Sequence, residues 1–522
     1  METAVGGRPS QRFDRPRPRQ LDWFFCSTLL FTISVVAFEL LQAPPAALMQ
    51  VDSQSYLDFA AERTAAYPLF LRFVEYLPGG LRDLPPIQLG LYALATLFLC
   101  CEFRKLSESR FASGLLLILL LGNAQVTRLT FMIMTEALFL CCLMLLLALC
   151  CRLVRKPWWQ TLVMASFAVG LAALIRPAGY ALIISLPVIA CWCWRDALPA
   201  WRAVLAAALP YLATLGLGMI AYHTEHGLWR TETFVGRTLL GKAAAIVDAN
   251  PTENEPKIIR SIAAAVAPDR AVIDRAPTVF DRFRLIVPYY DLWRYGRVYD
   301  IVAGQAGIPK SDVVALDRRM EAVSFEIIAT APTAYLADVA LNYGALWWLP
   351  DAMTQAQLAH FRALVAALEP LPDLGRYPPW HRDHSDAVIW ALHGFMSIAF
   401  AVSLWWGFYL IASVVCGTPL PPLARIGVLA AILVHASFLL TASVEAGLPR
   451  YAWVLWPALS VLFVSGLGAC SQSCGRHLGR RTALALSIMR FPTAPDDADR
   501  KLMSTEAVMG TGGPYGRSAE GI

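Results

Sequence analysis

Long apolar runs alternate with short basic connections along most of this chain, and two long stretches of mixed composition interrupt the alternation. A run of roughly 18 or more apolar residues crosses a hydrocarbon core of about 30 Å. Ten such runs predict ten spanning helices, near 21–41, 86–103, 111–127, 129–151, 159–175, 178–194, 203–222, 387–412, 425–442 and 449–468. The expected fold class is therefore an all-α polytopic membrane protein.

Composition agrees with the pattern. Of 522 residues, 57% are hydrophobic and 16% charged, with a mean hydropathy of +0.50, where soluble domains carry about 25% charge. The net charge of +5 requires no nucleic acid, because Lys and Arg collect on the cytoplasmic side of membrane proteins. Arg15, Arg17 and Arg19 precede the first run, Arg104, Lys105 and Arg110 follow the second, and Arg152, Arg155 and Lys156 follow the fourth. Arg195 and Arg202 follow the sixth, Arg425 lies between the eighth and ninth, and Arg476, Arg480 and Arg481 follow the tenth. With alternating helices these fall on one side, which predicts a multi-pass protein of the cell (inner) membrane with both termini cytoplasmic. The basic start and "APPAA" resemble a signal peptide, but the run from Leu21 to Leu41 exceeds a signal core, which favours a retained anchor.

The chain then divides into a basic N-terminus (1–20), an N-terminal bundle (21–222) with a first external loop at 42–85, a large external loop (223–386), C-terminal helices (387–468) and a polar, disordered cytoplasmic tail (469–522). The "DDAD" in that tail reads as a chance match. Loops this long are rarely bare connectors. In the first, Tyr56, Phe59, Ala60, Leu69, Phe70 and Phe73 suggest interfacial amphipathic turns. In the second, "TFVGRTLLGKAAAIV" and "PTAYLADVALNYGALWWLP" read as amphipathic helices, with Trp347 and Trp348 as interfacial anchors. The twelve cysteines avoid both loops, which fits reduced thiols packed as small hydrophobes rather than a disulfide framework.

Ionisable groups at membrane depth or at its mouth are costly and so informative. Asp52, in "VDSQSYLDFA", is either a helix cap or a general base whose pKa partial burial raises. Glu136, in "TEALF", is expected about two turns inside the fourth helix, as a structural polar contact or a catalytic carboxylate. Arg176, before Pro177, either snorkels to the headgroups or faces inward. Arg450, with Glu445 before it and Tyr451 after it, either forms a salt bridge or binds a lipid phosphate bidentately. His223 and His226 flank Glu225 where the large loop begins, and His384 lies with His381 and Asp383 where it ends. These suit a divalent metal ion or a solvated loop mouth. There is no P-loop, dinucleotide fingerprint or nucleophile elbow.

These residues resemble the GT-C glycosyltransferases, which include protein O-mannosyltransferases and lipid A aminoarabinose transferases. The likeness covers most of 20–470. It rests on Asp52 after the first helix with "YPLF" downstream, on Thr135–Phe139, on Arg176–Pro177, and on Glu445, Arg450, Tyr451 and Pro457 near the last helix. It implies inverting transfer of a sugar from a polyprenyl-phosphate donor to a lipid, glycan or protein acceptor at the extracytoplasmic face. Asp52 would be the base, with Glu136 as a second carboxylate. Arg450 and then Arg176 would stabilise the departing phosphate, together with Tyr451 and Glu445. Where many relatives carry two adjacent acidic residues, this chain has Asp52-Ser53, which puts a metal on that pair in doubt. The competing readings are a polysaccharide polymerase or ligase using a lipid-linked glycan, and a transporter or flippase; no inverted repeat of the transporter kind is evident.

Overall fold

The computed structural model describes residues 23–44, 46–50, 52–248, 251–349, 352–367 and 385–470. Among them the chain is an all-α polytopic membrane protein, with one isolated bridge between Leu48 and Met132. Seven described helices are long and apolar enough to cross a membrane: Trp23–Gln42, Gly80–Ser107, Glu136–Arg155, Pro177–Arg195, Ala200–His226, Asp386–Val415 and Pro422–Val444. The pair Arg110–Leu121 and Ala124–Phe131, bent by 48°, makes an eighth. Two shorter apolar helices, Trp159–Ile175 and Trp456–Cys470, take up the fifth and tenth runs. Each predicted run thus has a helix. Glu136–Arg155 and Pro422–Val444 are the most enclosed of the long ones, and Trp23–Gln42 and Asp386–Val415 turn most of their apolar surface outward.

One boundary moved for a definite reason. The fourth run was expected to start at 129, but residues 129–131 form a tight turn and the helix begins at Glu136. The Gln88 amide donates to the carbonyls of Thr130 (3.0 Å) and Met132 (3.1 Å), and the bridge to Leu48 takes the Phe131 carbonyl. Those backbone groups are therefore satisfied outside a helix.

The first connection folds into short helices at Ser53–Leu57 and Ala66–Glu75. The second buries Tyr67, Leu71 and Val74 while Leu69 and Phe73 stay exposed, as an amphipathic turn at an interface should. Tyr56 and Phe59 are instead buried in protein.

The long second connection is a helical layer: Val235–Ile246, Lys257–Asp274, Val279–Tyr295, Arg297–Ala306, Val313–Thr330, Pro332–Trp348 and Gln355–Ala367. Thr278 and Asp312 cap two of these by accepting from the amides of Asp281 and Ala315. Leu240, Ile262, Phe283, Trp293 and Met320 share one core. Gly236 permits close packing, since a Cβ there would lie 1.9 Å from the Asp317 carbonyl oxygen. Trp347 corrects the anchor expectation. It is only 7% exposed, packed on Phe400, His435 and Phe438, whereas Trp348 is 40% exposed. No cysteine among the described residues is in a disulfide. The basic N-terminus, His381, Asp383, His384 and the tail from 471 lie outside the described residues.

Candidate active site

The loop carrying Asp52 is stitched to the segment that leads into the fourth span. Leu48 N–H donates to Phe131 (2.8 Å) and Ile133 N–H to Leu48 (3.0 Å). Ser53, fully buried, accepts from Gln50 N–H (2.7 Å) and donates to the Ile133 carbonyl (2.9 Å). Asp52 and Glu136 thus approach each other through backbone pairing, although 84 positions separate them in the sequence.

Asp52 stands where a cap would, yet its carboxylate makes no cap bond. It turns instead to Arg63, whose Nη2 donates to Oδ1 at 2.7 Å. The same guanidinium donates to Ser55 Oγ (2.7 Å) and Tyr56 OH (3.1 Å) and lies over the Tyr56 ring. The chain reverses for this at Phe59, a buried residue held at φ +45°. A bulky side chain is rarely found there, at a cost of order 1–2 kcal/mol. On its other side, Asp52 Oδ2 faces Arg450 Nη1 at 3.7 Å. Burial pushes the carboxyl up, but Arg63, Arg450 and more distantly Arg294 outweigh it and hold Asp52 below the ordinary carboxylate range. The expected upward shift is therefore corrected.

Glu136 occupies the first turn of its helix rather than lying two turns inside, which also corrects the expectation. Its Oε1 pairs with Arg176 Nη1 at 2.7 Å, and both side chains are buried. Arg176 is extended, as a residue before proline prefers, so the fifth helix stops at Ile175 and the guanidinium turns inward rather than snorkelling.

Tyr451 joins the two halves. Its ring lies 5.0 Å from the Arg176 guanidinium and 5.2 Å from that of Arg450, and Arg450 Nη2 donates to its hydroxyl at 3.3 Å. The Arg450 Nε is buried without a hydrogen-bond partner. Such a donor is costly to leave unmade.

Glu445 accepts from Arg294 through both oxygens, at 2.9 and 2.8 Å, and Arg294 also pairs with Asp291 at 2.7 Å. Beside it, the helical layer holds the 443–447 turn. Tyr335 donates to the Ser443 carbonyl (2.9 Å), and Gly447 N–H donates to Asn342 Oδ1 (2.8 Å). A Cβ on Gly447 would lie 2.4 Å from the Asn342 carbonyl oxygen. Asn342 belongs to a buried knot in which Lys242 meets Asp338 Oδ2 at 2.8 Å and Tyr290 donates to Oδ1 at 2.5 Å. Arg63, Arg294 and the Lys242 knot were not marked by any sequence motif. Neither was Glu232, whose carboxyl burial and Asp317 push up to about 8, with Arg63 opposing.

His223 stacks on Trp229 at 4.2 Å, and His226 packs against Phe59 and Tyr222 at 5.1 and 4.5 Å. Glu225 between them is bound by Arg72. His223 and His226 belong to no group of three or more potential metal ligands among the described residues, and His384, the third residue of that expectation, lies outside them.

No family model matches the chain, and no curated protein matches it. Among solved structures it is similar to ArnT from Cupriavidus metallidurans bound to undecaprenyl phosphate, at 13% identity over 84% of this chain and 77% of that one. The TM-score is 0.29, a loose likeness.

Proposed function

We propose that this chain is a membrane glycosyltransferase of the GT-C kind. It would take a sugar from a polyprenyl-phosphate donor and pass it, with inversion, to an acceptor of the cell envelope at the extracytoplasmic face. One observation carries this reading. Asp52, Glu136, Arg176, Arg450 and Tyr451, drawn from four separate stretches, meet in one partly buried ionic network, with Glu445 at its edge through Arg294.

In the proposed step the acceptor oxygen bonds to the anomeric carbon opposite the phosphate. The anomeric C–O bond breaks, its electron pair leaves with polyprenyl phosphate, and the hydroxyl proton passes to Asp52. A carboxylate held at low pKa is ionised throughout the neutral range. It accepts the proton late, once bond formation has acidified the hydroxyl. Arg450, with its unpartnered Nε, and then Arg176 would meet the charge growing on the leaving phosphate. Glu445 would act by orienting Arg294, since a carboxylate repels phosphate.

The test is mass spectrometry of envelope lipids and glycans with and without the gene. Loss of one sugar increment is expected, and identical envelopes would count against the proposal. For the orientation, Asp300→Cys in the helical layer is expected to react with a membrane-impermeant maleimide in intact cells. Labelling only after lysis would place that layer on the other side.

A further inference from the structure

A cavity of about 600 Å3 opens between the start of the first span and the turn joining the second span to the third. It lies at the end of the bundle away from Asp52. Glu136 starts the fourth span beside Arg176, and Arg155 closes that 20-residue span, pairing with Glu102 at 3.0 Å. At 1.5 Å per residue the two ends are about 30 Å apart. Glu102 lies on the second span within one turn of Arg104 and Lys105, which line the cavity.

The lining has two characters. Phe24, Phe25 and Thr28 supply one wall from the first span, while Arg104, Lys105 and Arg110 supply the other. Arg104 lies over the Phe24 ring at 4.5 Å. Lys105 and Arg155 share Glu102, at 2.6 and 3.0 Å. Counting Arg104, Lys105, Arg110 and Arg155 against Glu102 and Glu108 leaves four positive charges facing two negative ones, an excess of two. Around this charge the surface is greasy. Trp23, Phe25 and Phe111 are exposed, and the first span presents most of its apolar side outward.

The turn itself is shaped at some cost. Glu108 adopts φ +56°, a left-handed conformation unusual for a residue other than glycine. It lets the second helix end at Ser107 and the third begin at Arg110, with Ser109 capping the latter through the Ala112 amide at 3.1 Å. That tight connection brings Arg104 and Arg110 to one cavity. Strain of this kind gathers at binding sites.

We propose that this cavity holds the headgroup of a net-negative phospholipid, with its acyl chains laid along the exposed apolar side of the first span. A soluble anion would satisfy the cations but leave the aromatic rim bare. A zwitterionic lipid would cover the rim but leave the charge excess in place. Cations that merely reach toward headgroups would need no cavity of about 600 Å3 behind them. The site is independent of the sugar-transfer reading, because none of its residues belongs to the Asp52 network.

The test uses the full chain purified in detergent from mixed vesicles of phosphatidylglycerol and phosphatidylcholine, with retained lipid counted by native mass spectrometry. The parent chain is expected to retain phosphatidylglycerol at least fivefold over its share of the vesicle. The Arg104→Gln/Arg110→Gln variant should lose that enrichment with its melting temperature unchanged. Should that variant fail to fold, Thr28→Trp, which fills the cavity without altering charge, is expected to lose the enrichment as well. Equal retention of both lipids by the parent chain, or enrichment untouched in the variants, overturns the proposal. Displacement of the lipid by millimolar inorganic phosphate also overturns it, by making the site one for a soluble anion.

Discussion

The clusters around Lys242 and around Asp52 are built from the same kinds of residue, yet they are finished differently. Around Lys242 each charged or polar side chain has a partner. The ammonium meets Asp338, Tyr290 donates to the other carboxylate oxygen, and Asn342 donates to the Asp338 carbonyl while accepting from Gly447. Around Asp52 one contact is stretched to 3.7 Å, and the Arg450 Nε has nothing to donate to. A saturated buried network rigidifies the structure around it, and a partly satisfied one is expensive unless something completes it. We read the first cluster as the frame and the second as the place where a phosphate completes the set.

The largest effect expected from that comparison is on folding. Lys242→Ala leaves the buried Asp338 carboxylate without its counter-ion, and breaking such a buried pair costs about 3–5 kcal/mol. Thermal unfolding of the detergent-solubilised variant checks this, and Lys242→Met with Asp338→Leu should recover much of the loss. A melting temperature close to the parent's for the single variant would remove the frame role.

Arg450→Ala comes next, and it should act on chemistry. Losing one transition-state donor costs about 2.7–4 kcal/mol, or 10²–10³ in kcat. Asp52 keeps Arg63 in that variant, so stability should change far less. Equal losses of activity and stability would erase the contrast between the two clusters.

Glu232 gives the smallest effect. Its carboxyl is raised to about 8 from an ordinary 4.5. Between those values the folded state binds more protons than the unfolded one, so stability falls as pH rises from about 4.5 to about 8. Glu232→Gln should flatten that slope and raise the melting temperature at pH 9 relative to the parent. For Asp52 the sign is opposite. Its stabilising contribution is present above the unfolded value and is lost only as pH falls through the lower folded one.

The sequence was legible where physics acts along the chain. Apolar runs place helices, and each of the ten runs has one, but at most eight of them are long and apolar enough to cross a membrane; Trp159–Ile175 and Trp456–Cys470 fall short of the expected ten spans. Pro177 ends the fifth helix by a purely local constraint, whereas the inward turn of the Arg176 guanidinium comes from its pairing with Glu136. What required folding was partnership. Arg63 sits in "AAERTAAYPLF", eleven residues from Asp52, and looks like any loop cation until Phe59 reverses the chain. Lys242 and Asp338 are ordinary members of amphipathic helices in sequence and become buried only through tertiary packing. For the same reason the Asp52 shift runs opposite to the direction its sequence suggests. Burial could be foreseen, but the guanidiniums that outweigh it could not.

The most direct measurement is transfer of radiolabelled sugar from a polyprenyl-phosphate donor by membranes carrying Asp52→Asn. Removal of a general base costs about 10²–10⁴ in rate, so near-complete loss is expected, with parent-like insertion and melting temperature. Parent-level transfer by that variant would contradict the account.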